Sequence, residues 1–214
     1  MTFQTPTPRR LPLRSAVALF LGLSTLAHAQ ANFSESFQGV GDGTDSLGGP
    51  ASLVSRGWTF RNQSRPNNGD SPYWTEFSGW GHVGSCLGHG AFTTWQDSST
   101  RISAWIILPA IPNQIAGDPL TIWTSAPTDA FGNNHALLEV RYSPSGAIST
   151  GSNDADVGNF TQVLSSISGQ NGHPWTQRTV ALPGSGRIAV RLVFPSAASL
   201  FDFSGSFLID SLQV

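Results

Sequence analysis

Apolar and polar positions alternate along Leu138–Ser143. Leu138, Val140 and Tyr142 fall on one parity, Glu139 and Arg141 on the other. A period of two with no breaker inside predicts a strand with one buried face. Ser143–Gly146 (Ser-Pro-Ser-Gly) then reads as a turn. The same grammar recurs, with strands predicted over 32–37, 56–62, 73–77, 91–95, 101–108, 120–124, 137–143, 160–165, 175–182, 187–194 and 207–214. Residues after Arg101 in 101–108 are almost wholly apolar, so both faces of that strand are expected to be covered. The connections are polar: Gly/Asp-rich over 39–49, Asn/Pro/Gly-rich over 63–72, Gly/His-rich between Phe77 and Ala91. No window sustains a helical period. The predicted architecture is all-β: a jelly-roll β-sandwich of two antiparallel sheets with about ten strands.

The N-terminus breaks this pattern. Arg9, Arg10 and Arg14 precede a mostly apolar stretch from Ser15 to Leu26, and Ala27-His28-Ala29 places small residues where a signal peptidase reads. Residues 1–29 are therefore expected to be a cleavable Sec-type signal peptide, and 30–214 a single sandwich domain. The apolar run, about a dozen residues, is too short to span a bilayer. The expected product is secreted or periplasmic, with no transmembrane segment in the mature chain.

Composition narrows the function classes. The chain has 214 residues, 11% of them charged, with a net charge of -2, and all its basic residues are Arg. There is no basic footprint for nucleic acid. The single Cys86 closes no internal disulfide.

Two acids fall on apolar parities. Glu35 alternates with Phe33 and Phe37, and Asp210 with Leu208, Leu212 and Val214. A buried carboxylate needs a partner. If the first and last strands are neighbours, one calcium ion could hold both acids, with the Asp42–Asp45 loop adding ligands. The alternatives are backbone N–H donors, an Arg, or a wet rim position.

Other chemistry is sparser. His82, Cys86 and His89 have soft-ligand spacing for zinc, or for a Cys-His pair, but with no second Cys and no fourth ligand nearby the expected reading is a loop with two exposed histidines. Glu76 and Asp97 are the acids a glycosidase reading would use. No nucleophile-elbow, zincin or P-loop motif is present. Of the seven Trp, Trp58, Trp105, Trp123 and Trp175 are predicted in the core. Trp74, Trp80 and Trp95 lie in the loop-rich region, where they either stack on sugar rings or plug the sandwich edge.

Nine short motifs in order resemble the bacterial choice-of-anchor J domain, related to the cleaved-adhesin and MAM-like sandwiches. They begin with Phe33-Ser34-Glu35-Ser36-Phe37 and Gly57-Trp58-Thr59, then Ile102–Pro109 and Leu120-Thr121-Ile122-Trp123-Thr124. Leu138–Ser143, Asp156–Thr161, Pro174–Gln177, Gly186–Arg191 and Leu208–Val214 complete the series. Leu108 departs from the Ser or Thr of many members. The resemblance implies a jelly roll, with calcium near the first and last strands in related sandwiches, and no catalytic residues. Members commonly continue into a sorting signal; none follows here, so a released product is expected. The expected function is a secreted, non-enzymatic adhesion or carbohydrate-binding module for an extracellular glycan or matrix protein. The ligand site is expected at Trp74, Trp80 and Trp95, and the metal site at Glu35 and Asp210. The alternatives are a self-assembling envelope component, or a polysaccharide-active enzyme.

Overall fold

The computed structural model describes residues 32–43, 48–64, 74–90, 101–128, 134–194 and 206–214. Its strands are β1 (Ser34–Glu35), β2 (Thr59–Asn62), β3 (Thr75–Phe77), β4 (Cys86–Gly90), β5 (Ile102–Ile107), β6 (Pro119–Ala126), β7 (Leu137–Ser143), β8 (Gln162–Ser168), β9 (His173–Ala181), β10 (Arg187–Phe194) and β11 (Ser206–Gln213). One short helix, α1 (Ala51–Ser55), precedes β2. One sheet runs β3-β4-β11-β6-β9, with β1 also on β11; the other runs β2-β5-β10-β7-β8. Every pairing is antiparallel. From β8 onward successive strands cross from one sheet to the other, giving the predicted two-sheet sandwich.

The core follows the alternation. Leu120 and Ile122 of β6, Leu138, Val140 and Tyr142 of β7, and Val190 and Leu192 of β10 meet between the sheets. Two elements depart from the sequence reading. Cys86–Gly90, read as loop, is a strand between β3 and β11. Its glycine is required by packing: a Cβ on Gly88 would lie 2.5 Å from the Phe77 ring. Helix α1 was missed because five residues are too few to display a period.

The outward face of the five-stranded sheet is also covered. Glu139, Arg141 and Arg191 are buried, although their parity predicts exposure. The 144–161 connection lies over them: Phe160 packs with Trp105, Ile107 and Ala189, and its carbonyl accepts from Arg141 Nη1 (3.0 Å). Arg141 pairs with Glu139 at 2.6 and 3.0 Å. Arg191 donates to Ser103 Oγ and sits 4.8 Å above the Trp105 ring. Thus β5 is buried on both faces, as its apolar run predicts. Among the described residues no helix is long and apolar enough to cross a membrane.

Candidate functional site

Register lays out the other outward face, that of the six-stranded sheet, in rows. Ser34 is opposite Gln213, Gln213 opposite Thr121, and Thr121 opposite Thr179. These four point away from the core, because their strand neighbours Phe33, Leu212, Leu120 and Val180 pack into it or against it. The next row is Asp210, Trp123 and Gln177. Adjacent outward rows are two residues apart, about 6.7 Å along a strand.

The β3–β4 connection, 78–85, folds back over this second row. Val83 N–H donates to Asp210 Oδ2 (3.1 Å). Gln38 clamps the loop from the other side: its amide donates to the carbonyls of Val83 and Ser85 (2.7 and 2.8 Å) and accepts from Ser85 N–H (2.9 Å). The Trp175 indole N–H donates to the Trp80 carbonyl (3.2 Å). The His82 ring stacks on Trp123, with centroids 3.5 Å apart and planes within 12°. Gly81 N–H donates to the Gly84 carbonyl (3.0 Å) to close the turn, and Gly84 takes a φ of 78° that favours glycine.

Although the loop is tied down at each of these points, it keeps two large apolar side chains in water. Trp80 is 63% exposed and Val83 67%. The loop thus divides the face: the Ser34–Gln213–Thr121–Thr179 row lies to one side of it, and Trp80, tied to Trp175 and 6.5 Å from the Phe77 ring, lies to the other. An exposed indole on a loop whose backbone is held in place suits ligand binding through its apolar ring face.

Asp210 is fully buried beneath the loop. Its Oδ1 accepts from Ser211 N–H (2.6 Å). Ser211 has a φ of 45° and lies where the β11–β6 register shifts. This bulge corrects the sequence reading of the last strand. Phe207, Ile209 and Leu212 face the core, so Asp210 is on the opposite face from Leu212.

Glu35, as predicted, shares the core side with Phe33 and Phe37, and β1 pairs with β11. Its carboxylate is already engaged, by Arg56 Nη1 at 2.6 Å and Phe37 N–H at 2.9 Å. Calcium shared by Glu35 and Asp210 does not fit this arrangement: the acids occupy opposite faces of the sheet, and an arginine already partners the first. Among the described residues no group of three or more His, Cys, Asp or Glu is placed to hold an ion.

The remaining candidates separate as well. Trp74 is 1% exposed and packs edge-on against His89 at 5.0 Å, so its ring presents no face to a ligand. It precedes the Thr75–Gly88 pair and falls on the inward parity, beside buried His89. Trp95 and Asp97 lie outside the described residues, as do Asp45 and the signal segment. His82 is on the outer loop while His89 is buried, which divides the zinc set. Cys86 is buried, and desolvation together with nearby Asp210 and Glu76 pushes its thiol up to about 12, the reverse of an activated nucleophile. The Ser85 hydroxyl and the N–H groups of Gly41 and Gly39 hold the Glu76 carboxyl below its ordinary range. Both of its oxygens anchor the 39–41 loop, accepting from Gly41 N–H (2.7 Å) and Gly39 N–H (3.0 Å).

Trp123 and Trp175 are the residues that sequence reasoning placed wrongly. Both are half-buried on the outer face. The signal was present, since Trp123 shares parity with Thr121, and Trp175 with Gln177 and Thr179.

The fold matches solved adhesin domains. The K1 cleaved adhesin domain of Lys-gingipain from Porphyromonas gingivalis W83 is 21% identical, with a TM-score of 0.53 over 85% of this chain and 96% of that domain. The K3 cleaved adhesin domain of the same protein is 19% identical, with a TM-score of 0.54 over 86% and 96%. No family model and no curated protein sequence matches the chain.

Proposed function

We propose that this chain is a secreted, non-enzymatic binding module of adhesin type. Its outward six-stranded face docks an extracellular glycan or matrix protein. The observation that carries the reading is the β3–β4 loop. Its hydrogen bonds and stacking hold it against the sheet while Trp80 and Val83 remain in solvent. A loop serving only to cap the sandwich edge would turn its largest side chains inward. The fold shared with domains described as cleaved adhesins supports the same reading. The alternative of a polysaccharide-active enzyme is weakened because Glu76 is taken up in the 39–41 anchor.

Binding of the purified mature domain to a panel of polysaccharides and matrix proteins tests this, with wild type and Trp80→Ala in parallel and calcium or chelator present. The expected result is selective binding, weakened about tenfold or more by Trp80→Ala. Calcium should have little effect, because Arg56 already satisfies Glu35. Binding that survives Trp80→Ala unchanged would overturn the placement. Concentration-dependent self-association without ligand binding would favour a structural role instead.

A further inference from the structure

Apolar side chains gather on the Trp80 side of the β3–β4 loop. Phe77 of β3 and Leu208 of β11 both lean over Gly88 of β4: a Cβ built there would meet the Phe77 ring at 2.5 Å and Leu208 Cδ2 at 2.7 Å. Trp80 stands beside Phe77, with ring centroids 6.5 Å apart, and its carbonyl holds the Trp175 indole N–H of β9 at 3.2 Å. Register carries the strip across the sheet, because Leu208 lies opposite Gly88 on one side and Ser125 of β6 on the other. The hydrogen-bonding groups along it already have partners inside the protein. The Trp175 N–H is taken by Trp80, the Ser125 hydroxyl donates to the His173 carbonyl (3.2 Å), and the Cys86 thiol to the Phe77 carbonyl (3.9 Å). Among the described residues no acid or arginine lies on the strip. Asp210 is buried beneath the loop, Glu76 has the opposite parity to Phe77 and holds the 39–41 loop, and Arg178 has the inward parity of Ile122. Exposed polar groups come one row away, where Gln177 lies opposite Trp123 and His82 stacks on that Trp. The strip is therefore an apolar centre with polar groups at its margin, the anatomy of a protein interface.

We infer that the partner of this face is an extracellular protein, which seats an aliphatic or aromatic side chain against Trp80 and Phe77. This chooses between the two partner classes of the proposed function and rests on the face being the binding site. Three features carry it. A sugar ring stacked on an indole keeps its hydroxyls, and each one that loses water needs a donor or acceptor in return; the strip's own donors are engaged within the protein. An apolar side chain needs no such partner, and its burial is favourable in proportion to the area removed from water. An exposed Trp on a backbone fixed by hydrogen bonds, beside rings that are already packed, is the arrangement of an energetic centre in a protein interface. A strongly charged partner gains nothing here, because the strip presents no opposite charge.

The test is selection of a phage-displayed library of random linear peptides on the mature protein, with neutral and acidic polysaccharides titrated in parallel by isothermal titration calorimetry. Selected peptides are synthesised and their affinities measured by fluorescence anisotropy. Two variants address the two sides of the loop: Trp80→Ala removes the centre of the strip, and Gln213→Ala/Thr179→Ala removes exposed groups of the row on the far side. The inference expects peptides that share at least one aliphatic or aromatic anchor, with affinity not weakened by added salt. Trp80→Ala should weaken them about tenfold or more, while the double variant binds as wild type does. Replacing the anchor by Ala should cost a similar factor, and should cost little more in the Trp80→Ala background, because the two side chains act through one contact. Both variants should keep the wild-type melting temperature within a few degrees.

A polysaccharide that binds and is weakened by Trp80→Ala, with no peptide that depends on Trp80, overturns the protein-partner inference and leaves the face as the site. Peptides that bind Trp80→Ala as tightly as wild type overturn the site itself. A folded protein that binds neither peptides nor polysaccharides counts against both.

Discussion

Asp210 anchors the loop from beneath, and its removal has a calculable consequence. The carboxylate is fully buried, with one oxygen accepting from Val83 N–H at 3.1 Å and the other from Ser211 N–H at 2.6 Å. A hydrogen bond to a charged acceptor contributes about 1.5–3 kcal/mol, and an orphaned buried donor costs about 1–3 kcal/mol. In Asp210→Ala both N–H groups lose their acceptor. Val83 is largely exposed and water can replace part of what it loses, so the total comes to about 3–4 kcal/mol. Asp210→Asn keeps one acceptor and turns a donor toward the other N–H, for about 1–2 kcal/mol. Urea unfolding followed by tryptophan fluorescence measures both values. Hydrogen exchange at the Val83 amide reports the loop alone, and its protection should fall further than global stability does. A destabilisation under about 1 kcal/mol for Asp210→Ala, with Val83 protection unchanged, would refute the anchoring argument.

Other outcomes follow from the same geometry. Glu139→Ala leaves Arg141 and Arg191 buried without their shared acid, and should destabilise by about 3–5 kcal/mol in urea titrations. Because the Cys86 thiol is buried and pushed up to about 12, the native protein should not react with a thiol reagent at pH 8, whereas the urea-unfolded protein should label fully. Glu76 has a folded-state pKa below its ordinary value. Its contribution is therefore present above that ordinary value and lost as pH falls through the folded one. Glu76→Gln should flatten that acid limb of the stability–pH curve, and an unchanged limb would contradict it. Gly158→Ala should destabilise measurably by thermal melting, because φ is 50° and its Cβ would collide with the Ser149 carbonyl.

The fold was legible because alternation survives in isolated strands. Leu138, Val140 and Tyr142 face the core in the structure as their parity requires. Parity failed where a long-range element intervened. Glu139 and Arg141 read as solvated because nothing local announces that Phe160 and its connection will cover them. Asp210 read as inward because the bulge at Ser211, which resets parity within β11, depends on the pairing with β6. Cys86–Gly90 read as loop because glycines at 88 and 90 mask a strand whose outward side chains are supplied by Phe77 and Leu208. For the candidate site, Trp80 was within reach of local reasoning. Its surroundings were not, because the Gln38 clamp spans 45 residues to Val83 and the Asp210 contact 127. Trp123 and Trp175 were assigned to the core because they lie inside strong strand patterns, although their Thr and Gln neighbours on the same parity pointed outward. The Glu35–Arg56 ion pair likewise depends on α1, whose end delivers Arg56 to the sheet margin.

The most direct test of the central claim is fluorine NMR on protein labelled with 5-fluorotryptophan, titrated with the polysaccharides and matrix proteins of the binding panel. All seven indoles report at once, and single Trp→Phe variants assign them. If the outward six-stranded face binds the ligand, the Trp80 and Trp175 resonances shift on titration, while those of buried Trp58, Trp74 and Trp105 stay in place. A polysaccharide that binds while Trp80 and Trp175 do not move would contradict the account.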